Sequence, residues 1–417
     1  MKKTILMLVS LLLLLTIGFN LAGCSMDVQA ADLMEGVTPN KITALDDLSS
    51  GRDKLGDFAL KLFLASSQEG KNTLISPLSV LYALAMTANG ANGQTREQIE
   101  TTLDMSVEEL NLYLYSYLRS LPIGEKYTLS LANSLWITDD TRLSVEKSFL
   151  QTNADYYGAS MYKAPFDDTQ TVKDINNWVK KETNGAIQSI LDEIPDEAIM
   201  YLINAIAFEA EWKNSYEKDQ IKAGTFTSYD GSSQSVEMMY STEGKYIQDN
   251  NATGFIKYYS GGKYAFVALL PEEGLSVSEY VKALDGASLI AMLSNAQNTD
   301  VEIAIPKFTT EYETEMSDIL INMGMQDAFD PDRADFTRLG HSTDGNIYIN
   351  RVIHKTELEV GEKGTTAGAA TVVEMVNKMS LPHVSEQVYL NRPFVYMLVD
   401  CENNIPFFIG EVNTLAD

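Results

Sequence analysis

Serine, lysine, histidine, cysteine and paired carboxylates are the usual raw material of hydrolytic chemistry, and this chain has each of them. Ser144-Val-Glu-Lys147 and Ser160-Met-Tyr-Lys163 carry S-x-x-K spacing, which on a helix sets a lysine beside a serine nucleophile. Enzymes of that kind also need S-D-N-like and K-T-G-like motifs, and both are absent. There is no G-x-S-x-G elbow and no P-loop. The three histidines, His341, His354 and His383, are scattered and lack metal-ligand spacing. Nothing near Cys401 makes it half of a Cys–His nucleophile pair. With 58 acidic residues, carboxylate pairs arise from abundance, so pairing does not indicate a glycosidase.

More informative are polar residues inside apolar runs. Asn204 interrupts "YLINAIAF", Asn133 interrupts "LSLANSLWI", and Ser76 and Ser79 open the apolar "SPLSVLYALAMTANGA". Buried amides and hydroxyls need partners, so these four should bond to one another or to backbone. A second oddity is "GEKGTTAGAATVVEMVNKMS" (361–380), in which Thr365 to Val373 carry no charge.

The elements that must hold these residues change character along the chain. "DKLGDFALKLFLASS" puts Leu55, Phe58, Leu62 and Phe63 on one helical face. Ser76-Pro77 suits the start of a buried helix. "TREQIETTL", "VEELNLYLYSYLRSL" and "TVKDINNWVKKETNGAI" read as further helices, the last stopped by Gly185. Strands begin on either side of that last helix, at "YTLSLANSLWI" and "AIMYLINAIAFEAEW", and fill most of the later half: "KYAFVALL", "DVEIAIPKFTTEYE", "NRPFVYMLVD" and "PFFIGEV", with a short helix at "EMSDILINMG". Helices early and strands late predict an α+β domain with a large, mainly antiparallel sheet.

At 417 residues, 45% hydrophobic and 21% charged, the chain can bury a sizeable core. Its net charge of -27 argues against nucleic acid and anionic membrane surfaces as partners. Lys2, Lys3 and the apolar run from Ile5 to Phe19 read as a targeting segment. Leu21-Ala22-Gly23-Cys24 resembles the bacterial lipobox, in which the Cys becomes the lipidated first residue. An ordinary signal peptide cut near Ala30-Ala31, or an uncleaved anchor, is the alternative. The expected organisation is a lipoprotein signal peptide (1–23), a polar tether (24–50) and one domain (51–417). With Cys24 lipidated, Cys401 has no partner, so stability must come from core packing.

Four stretches together resemble a known family. "NTLISPLSVLYALAMTANGANGQT" (72–95) looks like the serpin N-x-x-x-S-P-x-S motif with its downstream G-A-x-G-x-T. "LANSLWI" and "MYLINAIAFEAEWKNSYE" resemble the second and third strands of the serpin central sheet. "VIHKTELEVGEKGTTAGAAT" (352–371) looks like the strand leading into the hinge, and "NRPFVYMLVDCENNIPFFIGEVNTL" like the C-terminal signature. The matches run in order from about residue 52 to 415.

The resemblance implies the serpin fold, with three β-sheets, about nine helices and an exposed reactive-centre loop. It implies no enzyme and no cofactor. The loop is bait for a serine, sometimes a cysteine, protease; after cleavage it inserts into the central sheet and traps the acyl-enzyme. A non-inhibitory binding or transport serpin is the alternative. The lack of a basic cluster argues against heparin-like activation.

Insertion requires alternate side chains to enter the core. Thr365, Ala367, Ala369, Thr371, Val373 and Met375 form one uncharged set; Thr366, Gly368, Ala370, Val372, Glu374 and Val376 form the other. The single acid, Glu374, falls in the outward set. Thr366 stands where many members carry Glu, a departure on the outward face. By resemblance the hinge comprises Glu362, Gly364, Thr365, Ala367, Ala369, Ala370 and Thr371. Counting from Glu362, the seventeenth residue is Lys378, so Lys378-Met379 is the expected scissile bond, suited to a trypsin-like pocket. Met379-Ser380 is the rival, suited to chymotrypsin-like or elastase-like pockets.

Ser76, Ser79, Asn204 and His354 match the family's shutter, beneath the point where the sheet opens. Trp212, Lys307 and Glu362 match the breach, where the loop first enters, with Lys307 implied to pair with Glu362. The implied protein is a monomer on the extracellular face of the cell membrane, held by lipid or released from it.

Overall fold

The computed structural model describes residues 28–141, 143–195, 198–343, 345–366 and 386–415. Among these residues there are nine α-helices: α1 (Ser49–Ser66), α2 (Pro77–Ala88), α3 (Gly93–Leu103), α4 (Val107–Ser120), α5 (Lys147–Tyr157), α6 (Thr169–Glu182), α7 (Val277–Lys282), α8 (Gly286–Ser294) and α9 (Ser317–Met323). The central sheet has seven strands in the order β1 (Ala31–Asp32), β5 (Ser160–Ala164), β3 (Tyr127–Thr138), β6 (Met200–Glu211), β16 (Gly364–Thr366), β15 (Arg351–Val360) and β13 (Phe308–Glu315). A six-stranded sheet runs β2 (Thr73–Ile75), β19 (Ile405–Val412), β18 (Phe394–Asp400), β11 (Tyr264–Pro271), β10 (Ala252–Tyr258), β9 (Tyr246–Gln248). A four-stranded sheet runs β17 (Glu386–Tyr389), β12 (Val301–Pro306), β8 (Ser233–Glu243), β7 (Ile221–Thr227). A two-stranded ribbon, β4 (Leu143–Val145) with β14 (Gly340–Ser342), adds a fourth, small sheet to the expected three.

Helix α2 begins where Ser76 accepts a hydrogen bond from the Ser79 backbone N–H, with Pro77 in its first turn. All twelve of its residues are buried, as its lack of a polar stripe requires. It packs against β3, β6 and β19, between the central and six-stranded sheets. Helix α6 is amphipathic and covers the other face of the central sheet, where Ile175, Trp178 and Val179 join Trp136, Tyr201 and Ile203 in a separate apolar cluster. Beyond its end, the Gly185 N–H bonds to the Lys180 carbonyl with φ at +84°, a left-handed turn suited to glycine.

The expected tether departs from expectation over residues 28–48. Asp174 accepts the Gln29 and Ala30 N–H groups at 2.8 and 2.9 Å. β1 pairs with the edge of β5. Asp155 accepts the Asn40 N–H, Ser116 accepts the Leu45 N–H, and Tyr115 donates to the Ile42 carbonyl. The segment is fastened by these backbone hydrogen bonds and by Val28, Ala30, Leu33 and Met34, which pack against the two apolar clusters without a helical or strand period. Helix α1 also starts slightly early, at Ser49.

Candidate functional site

Three strands bring the misplaced polar residues into one row. Asn133 on β3 lies opposite Asn204 on β6, and Asn204 lies opposite His354 on β15. Asn204 Nδ2 donates to Asn133 Oδ1 at 2.6 Å and to Ser79 Oγ at 2.7 Å. His354 Nδ1 is 2.5 Å from Asn204 Oδ1, while His354 Nε2 accepts the Ser76 N–H at 3.1 Å. Because Nε2 accepts, the ring proton sits on Nδ1 and donates to Asn204. Burial, with the ring fully enclosed, lowers the His354 pKa to about 3, so the ring is neutral at ordinary pH. The structure thus brings Ser76, Ser79, Asn204 and His354 together under the start of α2. Asn133, noted for its polarity but not assigned to this group, belongs to it.

Higher on the sheet, β16 lies between β6 and β15. Gly364 pairs with Glu211, and Thr365 pairs with Ala210 on one side and Val360 on the other. Gly364 tolerates no side chain: an added Cβ would lie 1.9 Å from the Ala210 carbonyl oxygen. Thr365 is fully buried, its Oγ1 2.5 Å from the Tyr259 hydroxyl. Below this level β6 and β15 pair directly, from Tyr201 with Arg351 to Ile206 with Thr356.

The segment after β6 holds the hinge by its backbone. Trp212 Nε1 donates to the Gly361 carbonyl, the Trp212 N–H to the Lys363 carbonyl, and the Tyr216 N–H to the Glu362 carbonyl, at 2.8, 2.7 and 2.9 Å. Trp212 stacks on Tyr259, with ring centroids 4.5 Å apart and planes 6° from parallel. Lys307 Nζ lies 2.5 Å from Glu362 and 3.1 Å from Glu237; both pairs are substantially exposed, so they are worth little in isolation.

The sequence's catalytic decoys disperse. Ser160 and Lys163 lie on one strand, where residues three apart face opposite ways. Ser144 is on β4 and Lys147 begins α5. His341 is exposed beside Glu146 and takes no part in the buried row. Burial pushes the Cys401 thiol up to about 12, which makes it a poor nucleophile. His383, Cys24, Ala367, Ala369, Ala370, Thr371, Lys378, Met379 and Ser380 lie outside the described residues.

The serpin (serine protease inhibitor) family model matches residues 53–415. The chain belongs to the serpin family. This serpin is 47% identical to the thermophilic serpin tengpin in its native state, with a TM-score of 0.89 over 93% of this chain and all of that one. Against tengpin in its latent state the identity is 44% and the TM-score 0.79, over 90% of this chain and all of that one. Leukocyte elastase inhibitor A of Rattus norvegicus is 30% identical across 85% of this serpin and 97% of the relative. The likeness is thus greater to the native arrangement of tengpin than to the latent one, and the α+β serpin fold expected from the sequence is the fold observed.

Proposed function

We propose that this serpin is a suicide inhibitor of extracellular serine proteases, which cleave its loop and are trapped as acyl-enzymes when the loop inserts. The observation that carries this reading is the hinge, already started between β6 and β15. Continuing its antiparallel register past Thr365 assigns Ala367 to the gap between Phe208 and Leu358, and Ala369 to the gap between Ile206 and Thr356. Thr371 would then part Asn204 from His354, with its hydroxyl among their amide and imidazole groups. Every inward residue on this path is small or hydroxyl-bearing and uncharged through Thr371, so insertion buries no unpaired charge.

The bond assigned to cleavage is Lys378-Met379, which favours a trypsin-like protease. The name of the rat relative, an elastase inhibitor, supports keeping Met379-Ser380 and an elastase-like protease as the second assignment. Lipidation at Cys24 would hold the monomeric inhibitor on the outer face of the cell membrane.

Incubation with trypsin-like and elastase-like proteases should give a covalent complex that survives denaturing electrophoresis. Cleavage without a complex for every protease tried would refute inhibition and leave a binding protein. N-terminal sequencing of the released C-terminal fragment should begin at Met379; a start at Ser380 removes Lys378 from its assigned role.

A further inference from the structure

Behind the hinge dock lies a charge that the mechanism above does not use. Lys257, one residue before the end of β10, is 1% exposed and is the sole buried lysine or arginine among the described residues. Its Nζ is 2.7 Å from Glu243 Oε1, at the end of β8. It also lies 4.4 Å from the Tyr216 ring centroid, 5.3 Å from that of Trp212, and 3.4 Å from the Asn214 carbonyl oxygen. Ser241 ties Glu243 and Tyr216 together, donating to the carboxylate at 2.8 Å and lying 3.3 Å from the phenol oxygen.

One ammonium therefore touches three residues of the 212–216 segment and anchors them to both the six-stranded and the four-stranded sheet. The same segment donates hydrogen bonds to the carbonyls of Gly361, Glu362 and Lys363. The segment has no regular structure of its own between Trp212 and Tyr216, so its shape depends on what holds it. A cation between two aromatic faces and a carboxylate, shielded from water, is a strong fixing point.

We propose that Lys257 is a positioning residue for loop insertion: it fixes the 212–216 segment as the rigid dock from which the hinge zips into the sheet. Insertion races hydrolysis of the acyl-enzyme, so a loosened dock turns inhibitor into substrate. This inference rests on the inhibitory reading. It gives a sign that general destabilisation does not. Weakening the native fold of a chain poised to insert lowers its unfolding midpoint but does not slow insertion. Losing the dock slows insertion.

The test compares the full chain with Lys257→Met/Glu243→Gln, which removes the cation without stranding a buried carboxylate. Two quantities are read with a protease that complexes the wild type: the rate of loop cleavage, and the ratio of covalent complex to cleaved free serpin. The expected result is an unchanged cleavage rate and a complex-to-cleaved ratio lower by roughly tenfold, the scale of one lost charge-assisted contact. Tyr216→Leu, which keeps the ion pair and removes one ring, should lower the ratio less and covers the case in which the double variant does not fold. An unchanged or higher ratio in the variants overturns the role of Lys257 while leaving inhibition standing. If the wild type itself forms no complex, the inhibitory reading falls and this inference falls with it.

Discussion

His354 shows how much one buried side chain can carry. Its neutral ring bridges the Ser76 backbone and Asn204, linking α2 to the closed part of the sheet. Its pKa is lowered to about 3 by burial, against about 6.5 in an unfolded chain. Between these values the unfolded chain takes up a proton that the native ring refuses, so native stability falls as pH drops below about 6.5. The loss should reach a few kcal/mol near the bottom of that window, each tenfold change in proton affinity being worth about 1.4 kcal/mol. Buried Asp400 and Glu411, whose pKa values are raised by burial, work in the opposite direction. Comparing denaturant unfolding of the wild type with His354→Gln across this range cancels their shared contribution. The wild type should lose its advantage over the variant as pH falls; a difference that stays constant with pH would exclude the assigned neutral ring.

At the scale of elements, the decisive feature is a sheet closed in one part and opened in another. β6 and β15 exchange direct hydrogen bonds from Tyr201 to Ile206, while β16 separates them near Ala210. Insertion would replace one pairing by two, each new bond contributing only about 0.5–1.5 kcal/mol net. A charge forced inward costs several kcal/mol without a partner, so a single misplaced charge can outweigh several of these bonds. Thr371→Arg should therefore leave loop cleavage intact and abolish the covalent complex, as read by electrophoresis. It is a cleaner variant than Thr365→Arg, because Thr365 is already buried against Tyr259 before any cleavage. Complex formation at the wild-type level would show that Thr371 never enters the sheet.

For the whole molecule, the proposed inhibition requires that the native arrangement withhold a strand which the sheet accepts after cleavage. Cleavage of the loop should raise the thermal unfolding midpoint, because the added strand pairs with both β6 and β15 along their length; an unchanged midpoint would mean that the loop stays outside. The flank is more finished than a tether would leave it, since residues 28–48 run along α4, α5 and α6 on backbone hydrogen bonds. The proposed lipid anchor at Cys24 precedes this docked segment. Among the described residues no helix is long and apolar enough to cross a membrane. Cys24→Ala should release the protein from cell membranes into the medium; firm attachment of that variant would exclude lipidation at this position.

Much of this was legible in the sequence, for reasons that differ from residue to residue. Helix α2 and the long strands announce themselves through apolar runs and turn residues, which report local burial directly. Asn204 announced itself as an amide where only apolar side chains belong, a conflict that implies a partner. Lys257 sends the same signal from inside "GFIKYY", and reading charge as well as amides in strands would have found it. The alternation of uncharged residues after Gly364 is likewise a property of the chain alone, since strand geometry forces odd and even positions to opposite faces.

What the chain could not disclose is who meets whom. That Asn133, Asn204 and His354 stand in one row depends on the register between three strands far apart in sequence. That Trp212 and Tyr216 hold the hinge, with Lys257 behind them, depends on three sheets converging at one corner. That residues 28–48 are docked depends on side-chain acceptors from three helices, the edge of β5 and two apolar clusters, all brought together by the fold. A sequence encodes which residues seek burial, because that is a property of each side chain. It does not by itself say which partner satisfies each one, because partners are chosen by the packing of the whole.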